Sequence, residues 1–201
     1  MSVNLSEDVY TCYVARFAEI LRTAVASDAS GKAIGIDVAL RRIGDEMRAC
    51  HHRGGRVLLV GNGGSAGICS HMAIDISKSG GIRASALNDA SALTCIGNDF
   101  GYEQVFAKQV EWHASERDVL VAVSSSGQSA NILNAVGAGR ERCCRIVTLS
   151  GFLPDNPLRR LGDINIYLAS AQYGFIEIGH LAFLHAVLDI LMGWNTNQTQ
   201  E

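Results

Sequence analysis

The first fifty residues carry apolar positions at the spacing of amphipathic helices. One series recurs every three or four residues between about positions 6 and 26, and a second between about 33 and 50. Their apolar members are Val9, Tyr13, Phe17, Ile20, Leu21 and Val25, then Ile36, Val38, Leu40, Ile43 and Met47. The stretch SDASGK separates the two series, and HHRGG ends the second. The pattern therefore predicts two N-terminal helices.

Beyond residue 55 the pattern changes to short, continuous apolar runs that alternate with helical segments. The strand candidates are 56–61, 82–87, 118–127, 144–151 and 163–169, and the longer helical segments are about 65–77, 102–114, 128–142 and 174–194. Continuous apolar runs are typical of strands that are buried on both faces, and their alternation with helices favours a parallel sheet. We predict an α/β fold, a doubly wound parallel five-stranded sheet flanked by helices, with two extra N-terminal helices.

The length of the chain, 201 residues, indicates one domain with a sizeable core. We interpret 1–201 as a single domain, with 53–194 as the α/β core. The two extra helices lie outside the strand–helix alternation, so their apolar faces need a surface to pack against. We therefore interpret 1–52 as a helical oligomerisation segment.

Composition excludes several classes of protein. Hydrophobic residues make up 48% and charged residues 18% of the chain, which is ordinary for a globular protein and excludes a disordered one. A net charge of −3 supplies no basic excess for nucleic acid. We find no uninterrupted apolar run of membrane-spanning length and no signal peptide in MSVNLSEDVYTC, so we expect no membrane association and a cytoplasmic location. The six scattered cysteines fit a reducing compartment.

Two strand ends carry turns suited to an anion. GNGGS (61–65) follows the first predicted strand, and SSSGQS (124–129) follows the third. Glycines allow a tight turn, helix N-termini offer free N–H groups, and hydroxyls add neutral donors for a phosphate. The first turn could also be a purely structural one or part of a dinucleotide site, and the second could be a run of N-capping serines.

Histidines and acids lie at helical spacings on two predicted helices. His71 and Asp75 are four residues apart and so share one face, whereas Glu177 and His185 are eight apart and offset by roughly 80°. Such groups can exchange protons or bind a metal ion. We interpret His180, five residues before His185, as a packing residue that points elsewhere.

Taken together, the motifs resemble the sugar isomerase (SIS) domain, and within it the phosphoheptose isomerases. The resemblance spans about residues 5–193 and rests on GNGGSA, ALNDASALTCIGNDFGYEQVFAKQV, RDVLVAVSSSGQSANILNAV, IVTLSG and IEIGHLAFLHAVLDIL. It implies that sugar phosphate is bound by Ser65, Ser124, Ser126 and Ser129, and that the sugar site is lined by Asn62 and Asp99. From the same two turns we add Gly63 and Ser125 to the substrate-binding set.

The resemblance also implies a metal and an acid–base pair. The positions of His71, Asp75, Glu177 and His185 are usually His, Glu, Gln and His in the family, where some members hold zinc. We therefore expect Zn²⁺ on these four residues, with Asp75 and His185 as the acid–base pair and Glu177 as a further base or ligand. This chain differs at two of the four positions: Asp75 is one methylene shorter than Glu, and Glu177 adds a negative charge.

The resemblance implies an aldose–ketose isomerase that converts sedoheptulose 7-phosphate to D-glycero-D-manno-heptose 7-phosphate through an enediol, in nucleotide-heptose biosynthesis. It also implies a homotetramer. Two alternatives stay open: a non-catalytic SIS module of the kind that binds a replication initiator, and an isomerase of another phosphosugar. Because His71, an acid at position 75 and His185 are all present, an enzyme is favoured.

Overall fold

The structure is a computed structural model and describes residues 8–195. In this range the helices are α1 (Val9–Arg22), α2 (Ile36–His52), α3 (Gly64–Lys78), α4 (Ala90–Phe100), α5 (Ala107–His113), α6 (Ala130–Glu141) and α7 (Tyr173–Leu191). The strands are β1 (Val25–Asp28), β2 (Ala33–Ile34), β3 (Val57–Gly61), β4 (Ala84–Ala86), β5 (Val119–Ser124), β6 (Arg145–Ser150) and β7 (Ile164–Tyr167). The segments Tyr102–Gln104 and Pro157–Arg160 are 3₁₀ turns.

The strands form one sheet in the order β2-β1-β7-β6-β5-β3-β4. The predicted five-stranded parallel sheet is confirmed, because β7, β6, β5, β3 and β4 pair in parallel. Every residue of β3 and β5 is buried, as their continuous apolar runs require. From β3 the chain adds β4 at one edge of the sheet, whereas from β5 it adds β6 and β7 in the opposite direction. The carboxyl ends of β3 and β5 therefore flank the crevice where such folds bind ligands.

A short hairpin extends the sheet beyond these five strands. β1 pairs antiparallel with both β7 and β2. The prediction of a helix as far as residue 26 was wrong at its end, because α1 stops at Arg22 and Val25 begins β1. SDASGK is the turn of this hairpin: the Asp28 carboxylate accepts hydrogen bonds from the backbone N–H groups of Ser30 and Lys32. Ala26 is buried against the sheet.

Helices cover both faces of the sheet. One face packs against α1, α2, α3 and α7, and the other against α4, α5 and α6. The predicted helix 102–114 is in fact a 3₁₀ turn followed by α5. Ile20, Ile43 and Met47 of the N-terminal helices lie in the core of the first face, while the oligomerisation role of 1–52 stays a prediction.

The helix α7 has the length and apolar composition of a membrane span, with 19 residues at a mean hydropathy of 1.5. Its position in the fold is that of a core helix. Phe175, Ile176, Leu184 and Leu188 pack into the cluster beneath the sheet, and α2 and α3 lie alongside. The apolar composition of α7 is therefore explained by its burial in the protein.

Candidate functional site

The glycine-rich turn and the serine-rich turn meet at the carboxyl ends of β3 and β5. They enclose a small cavity of about 240 Å³. Its lining consists of Asn62, Gly63, Gly64, Ser65, Ser124, Ser125, Ser126, Ser129, Tyr173 and Glu177. Seven of the eight residues predicted to bind substrate are thus brought together, and no Lys or Arg is among these lining residues. Neutral hydroxyl and amide donors therefore dominate the cavity.

Close packing at Gly61 and Gly64, and a positive φ at Gly63, explain the glycines of the first turn. A Cβ on Gly61 would lie 2.8 Å from the carbonyl of Ser65, and Gly63 has a φ of +53°. A Cβ on Gly64 would come into collision with the Glu177 carboxylate. Without these side chains the backbone of α3 can begin next to the cavity, and Ser65 is buried there at 3% exposure. The N-terminus of α3 thus faces the space that an anion would fill.

The serine turn is held by its own hydrogen bonds. The Ser124 hydroxyl accepts from the Gly127 N–H at 3.2 Å and lies 3.4 Å from the Ser129 hydroxyl. The Ser126 hydroxyl accepts from the Gln128 N–H at 3.2 Å. Each hydroxyl keeps a rotatable O–H that can donate to a phosphate oxygen. The turn therefore presents several donors to one small volume.

Asn62 is fixed by partners that the sequence analysis missed. Its side-chain amide exchanges two hydrogen bonds with Asn131 of α6, at 2.8 and 2.9 Å, and its carbonyl also accepts from the Tyr102 hydroxyl at 3.2 Å. Asn131 is 3% exposed, and no local feature of the sequence marks it as the partner of Asn62. Asp99 does not join this group. It lies exposed near the end of α4 and accepts from the Asn98 amide.

His71, Asp75 and His185 form a second cluster, about two turns further along α3 and α7 than the cavity. The two Nε2 atoms are 3.1 Å apart, and the Asp75 carboxylate lies 3.2 Å from His71 Nε2 and 4.0 Å from His185 Nε2. One ligand atom from each residue lies within 4.8 Å of the others. Two imidazole nitrogens and one carboxylate oxygen are a chemically suitable donor set for a divalent metal such as zinc, with coordination positions left open.

The structure separates Glu177 from this cluster. The Glu177 carboxylate faces the serine-lined cavity and lies against Gly64, and it is not among the grouped ligand atoms of the described residues. Glu177 and His185 are eight residues apart on α7, a rise of about 12 Å along a helix. Of the four predicted metal ligands, three therefore meet, and the fourth lies at the cavity.

His180 points away from both groups, as expected. Its imidazole is fully buried, and burial lowers its pKa to about 4. The Nε2 atom lies 3.2 Å from the carbonyl oxygen of Ser150, at the end of β6. The neutral imidazole is therefore a hydrogen-bond donor to the sheet.

A larger open cleft, of about 810 Å³, lies at the opposite end of the sheet, where β6 and β7 begin. Two ion pairs lie in its lining: Arg140 contacts Asp163 at 2.8 Å and Arg145 contacts Glu46 at 3.4 Å. The turns that offer anion donors are at the other end of the strands. We therefore place the candidate site in the smaller cavity.

Comparisons with known proteins identify the family to which this chain belongs. The SIS domain model matches residues 13–151. The phosphoheptose isomerase of Geobacter sulfurreducens is 40% identical over 153 residues, which is 73% of this chain and 80% of that protein. The structure of the phosphoheptose isomerase from Neisseria gonorrhoeae has a TM-score of 0.75 at 32% identity, covering 91% and 99% of the two chains. That from Francisella tularensis has a TM-score of 0.78 at 26% identity, covering 92% and 96%.

Proposed function

Since the chain belongs to the SIS domain family and to its phosphoheptose isomerases, we propose that it converts sedoheptulose 7-phosphate to D-glycero-D-manno-heptose 7-phosphate. The observation that supports this most is that α3 and α7 carry both the His71–Asp75–His185 cluster and, about two turns earlier, residues of a cavity lined by serine hydroxyls. Such a product would enter the biosynthesis of nucleotide-activated heptose.

The cavity binds the phosphate in this proposal. Hydroxyl groups of Ser65, Ser124, Ser125, Ser126 and Ser129 donate to its oxygens, and the N-terminus of α3 adds free N–H groups and a favourable dipole. Gly63 lets the backbone approach closely because it has no side chain. Asn62, held by Asn131 and Tyr102, orients a sugar hydroxyl, and Asp99 of α4 is proposed to reach the sugar from the rim.

The reaction moves two protons. One leaves C1 of the ketose and is returned to C2, and the other passes from the C1 oxygen to the C2 oxygen, with an enediolate between the two steps. Asp75 and His185 are proposed as the acid–base pair for these transfers. Their 4.0 Å separation lets both face one substrate. Glu177 is the further proposed base or metal ligand, and its carboxylate would have to turn from the cavity towards this pair to serve as either.

The donor atoms of His71, Asp75 and His185 suit a zinc ion, and Glu177 is the fourth proposed ligand if its side chain turns towards them. When bound, such an ion would polarise the substrate carbonyl and its neighbouring hydroxyl. The Asp75 carboxylate lies 3.2 Å from His71 Nε2, so both groups could bind the same ion.

We also propose a homotetramer in the cytoplasm. Val9, Tyr10, Tyr13 and Val14 of α1 are exposed apolar side chains that a second copy would cover. His71 has 53% of its side chain exposed, so a neighbouring copy could enclose the cluster from outside. No interaction with nucleic acid or membrane is part of the proposal.

A coupled assay of sedoheptulose 7-phosphate isomerisation tests the proposal. The protein is stripped of metal, then given Zn²⁺, and His185→Ala is measured in parallel. Turnover that requires zinc and is lost in the variant supports both the reaction and the metal. Turnover without metal supports the acid–base pair and removes zinc from the proposal. No turnover under any condition refutes the proposed reaction and leaves two alternatives, another phosphosugar as substrate or a non-catalytic SIS module.

A further inference from the structure

His180 occupies a position where an apolar side chain would suffice for packing. The residue is 0% exposed, and its Nδ1 atom has no hydrogen-bond partner among the described residues. The Ser150 carbonyl that accepts from Nε2 also accepts from the Leu168 N–H at 3.0 Å. That carbonyl would therefore keep a partner if the imidazole were removed.

Burying an imidazole in this way is unfavourable for folding. A buried polar atom without a partner loses its hydration and gains nothing in return. The His180 ring is fully buried and has no acidic partner among the described residues, and burial lowers its pKa to about 4, so the neutral form is expected near pH 7. A buried polar group with one unpaired atom calls for an explanation other than stability.

The hydrogen bond of His180 leads to the serine turn through a short chain of buried groups. The Ser150 hydroxyl accepts from the Asn156 amide at 3.3 Å, and the Gly151 N–H donates to the Ser125 carbonyl at 3.0 Å. Asn156 is 1% exposed and lies directly behind Gly127, where a Cβ would overlap its side chain. The end of β6 therefore supports the turn from behind.

The same helix carries two groups of the candidate site. Glu177 lies one turn before His180 and faces the cavity, and His185 lies in the cluster with His71 and Asp75. Within the described residues, the His180–Ser150 contact is the hydrogen bond that joins a side chain of α7 to the sheet. Its loss would leave only apolar packing, such as that of Ile176 against Gly151, between α7 and the end of β6.

We propose that His180 is a positioning residue that ties α7 to the serine turn, through Ser150 and Asn156, and thereby sets the affinity of the cavity for phosphate. The inference rests on the proposed function only in taking the cavity as the phosphate site. In this proposal His180 acts through its hydrogen bond to Ser150 and takes no part in proton transfer.

Two variants test the proposal. His180→Leu removes the donor and keeps an apolar side chain of similar size, whereas His180→Gln keeps an N–H donor that can reach the Ser150 carbonyl. Affinity for inorganic phosphate is measured by titration calorimetry, and the thermal midpoint is measured on the same samples. We expect His180→Leu to bind phosphate about tenfold more weakly, because the serine turn loses its support from α7, with an unchanged or raised midpoint. His180→Gln should bind phosphate nearly as well as the wild type.

Val187→Ala is the matched control, because Val187 is a buried apolar residue of the same helix. It should lower the midpoint and leave phosphate affinity unchanged. The proposal is overturned if His180→Leu binds phosphate like the wild type, if Gln restores nothing, or if the wild type binds no phosphate. Kinetics separate the two proposals: a wild type that fails to turn over sedoheptulose 7-phosphate refutes the reaction, while the phosphate affinities still decide the role of His180.

Discussion

Gly127 is the position where a single methyl group should do most damage to the candidate site. The residue lies in the serine turn with a φ of +63°, which side chains rarely adopt. An added Cβ would overlap the Asn156 side chain. The Asn156 amide donates to the Ser150 hydroxyl and to the Gly151 and Leu153 carbonyls, and its oxygen accepts from the Arg159 N–H. Gly127→Ala must therefore strain the turn and displace a buried amide.

The magnitude follows from these two effects. A non-glycine residue in the left-handed region costs about 1–2 kcal/mol. Displacing Asn156 would break at least two of its four hydrogen bonds, at about 0.5–1.5 kcal/mol each. The sum is about 3 kcal/mol, which lowers the thermal midpoint of a domain of this size by roughly 6–12 °C. Because the serine hydroxyls move with the turn, phosphate affinity should fall as well.

Gly137→Ala is the control for this change. Gly137 is exposed in the middle of α6, and a Cβ there would have no heavy atom within 4 Å. Alanine at that position should stabilise the helix by up to about 1 kcal/mol. Differential scanning calorimetry of both variants, with phosphate titration, measures the contrast. If Gly127→Ala melts at the wild-type temperature and binds phosphate normally, the described packing of the serine turn is refuted.

Three further results are expected. The contribution of His180 to folding stability should fall by about 3 kcal/mol between pH 6.5 and pH 4, because the unfolded chain binds a proton at His180 in this window and the folded protein does not. Urea unfolding of the wild type and of His180→Leu across this pH range measures the contribution of His180. Asp75→Asn should weaken zinc binding by more than about tenfold in a chelator competition and leave phosphate affinity unchanged, since Asp75 does not line the cavity. Burial raises the pKa values of Cys69 and Cys144 to about 12, so in native protein at pH 8 a thiol reagent should modify the exposed Cys143 and spare these two, as peptide mass spectrometry would show.

Those features that rest on local patterns could be predicted from the sequence. A continuous apolar run located β3, and the alternation of strand candidates with helices located the other four parallel strands. The two turns follow neighbouring strands, and their hydroxyls line one cavity. The four-residue spacing of His71 and Asp75 placed them on one face, where they are in contact. Each inference used only the geometry of one element or of one sheet edge.

Features that depend on pairing between distant segments could not be predicted. The strands β1 and β2 have four and two residues, too few to show a period, and they exist because β7 offers them an edge. The Asn62–Asn131 pair joins residues 69 positions apart, and nothing local to either amide identifies the other. The same holds for the contact of His180 with Ser150.

The arrangement of α3 and α7 explains why one helix pair serves both parts of the site. Gly64 meets Glu177, and His71 meets His185. The two helices therefore run in the same direction side by side, with contacts that recur about two turns apart. A rise of about 10–12 Å separates the cavity that suits a phosphate from the cluster that suits proton transfer. A sugar phosphorylated on its last carbon and reacting at its first two carbons has its two ends separated in the same way. The spacing of these contacts therefore favours a long-chain sugar phosphate as substrate over a short one.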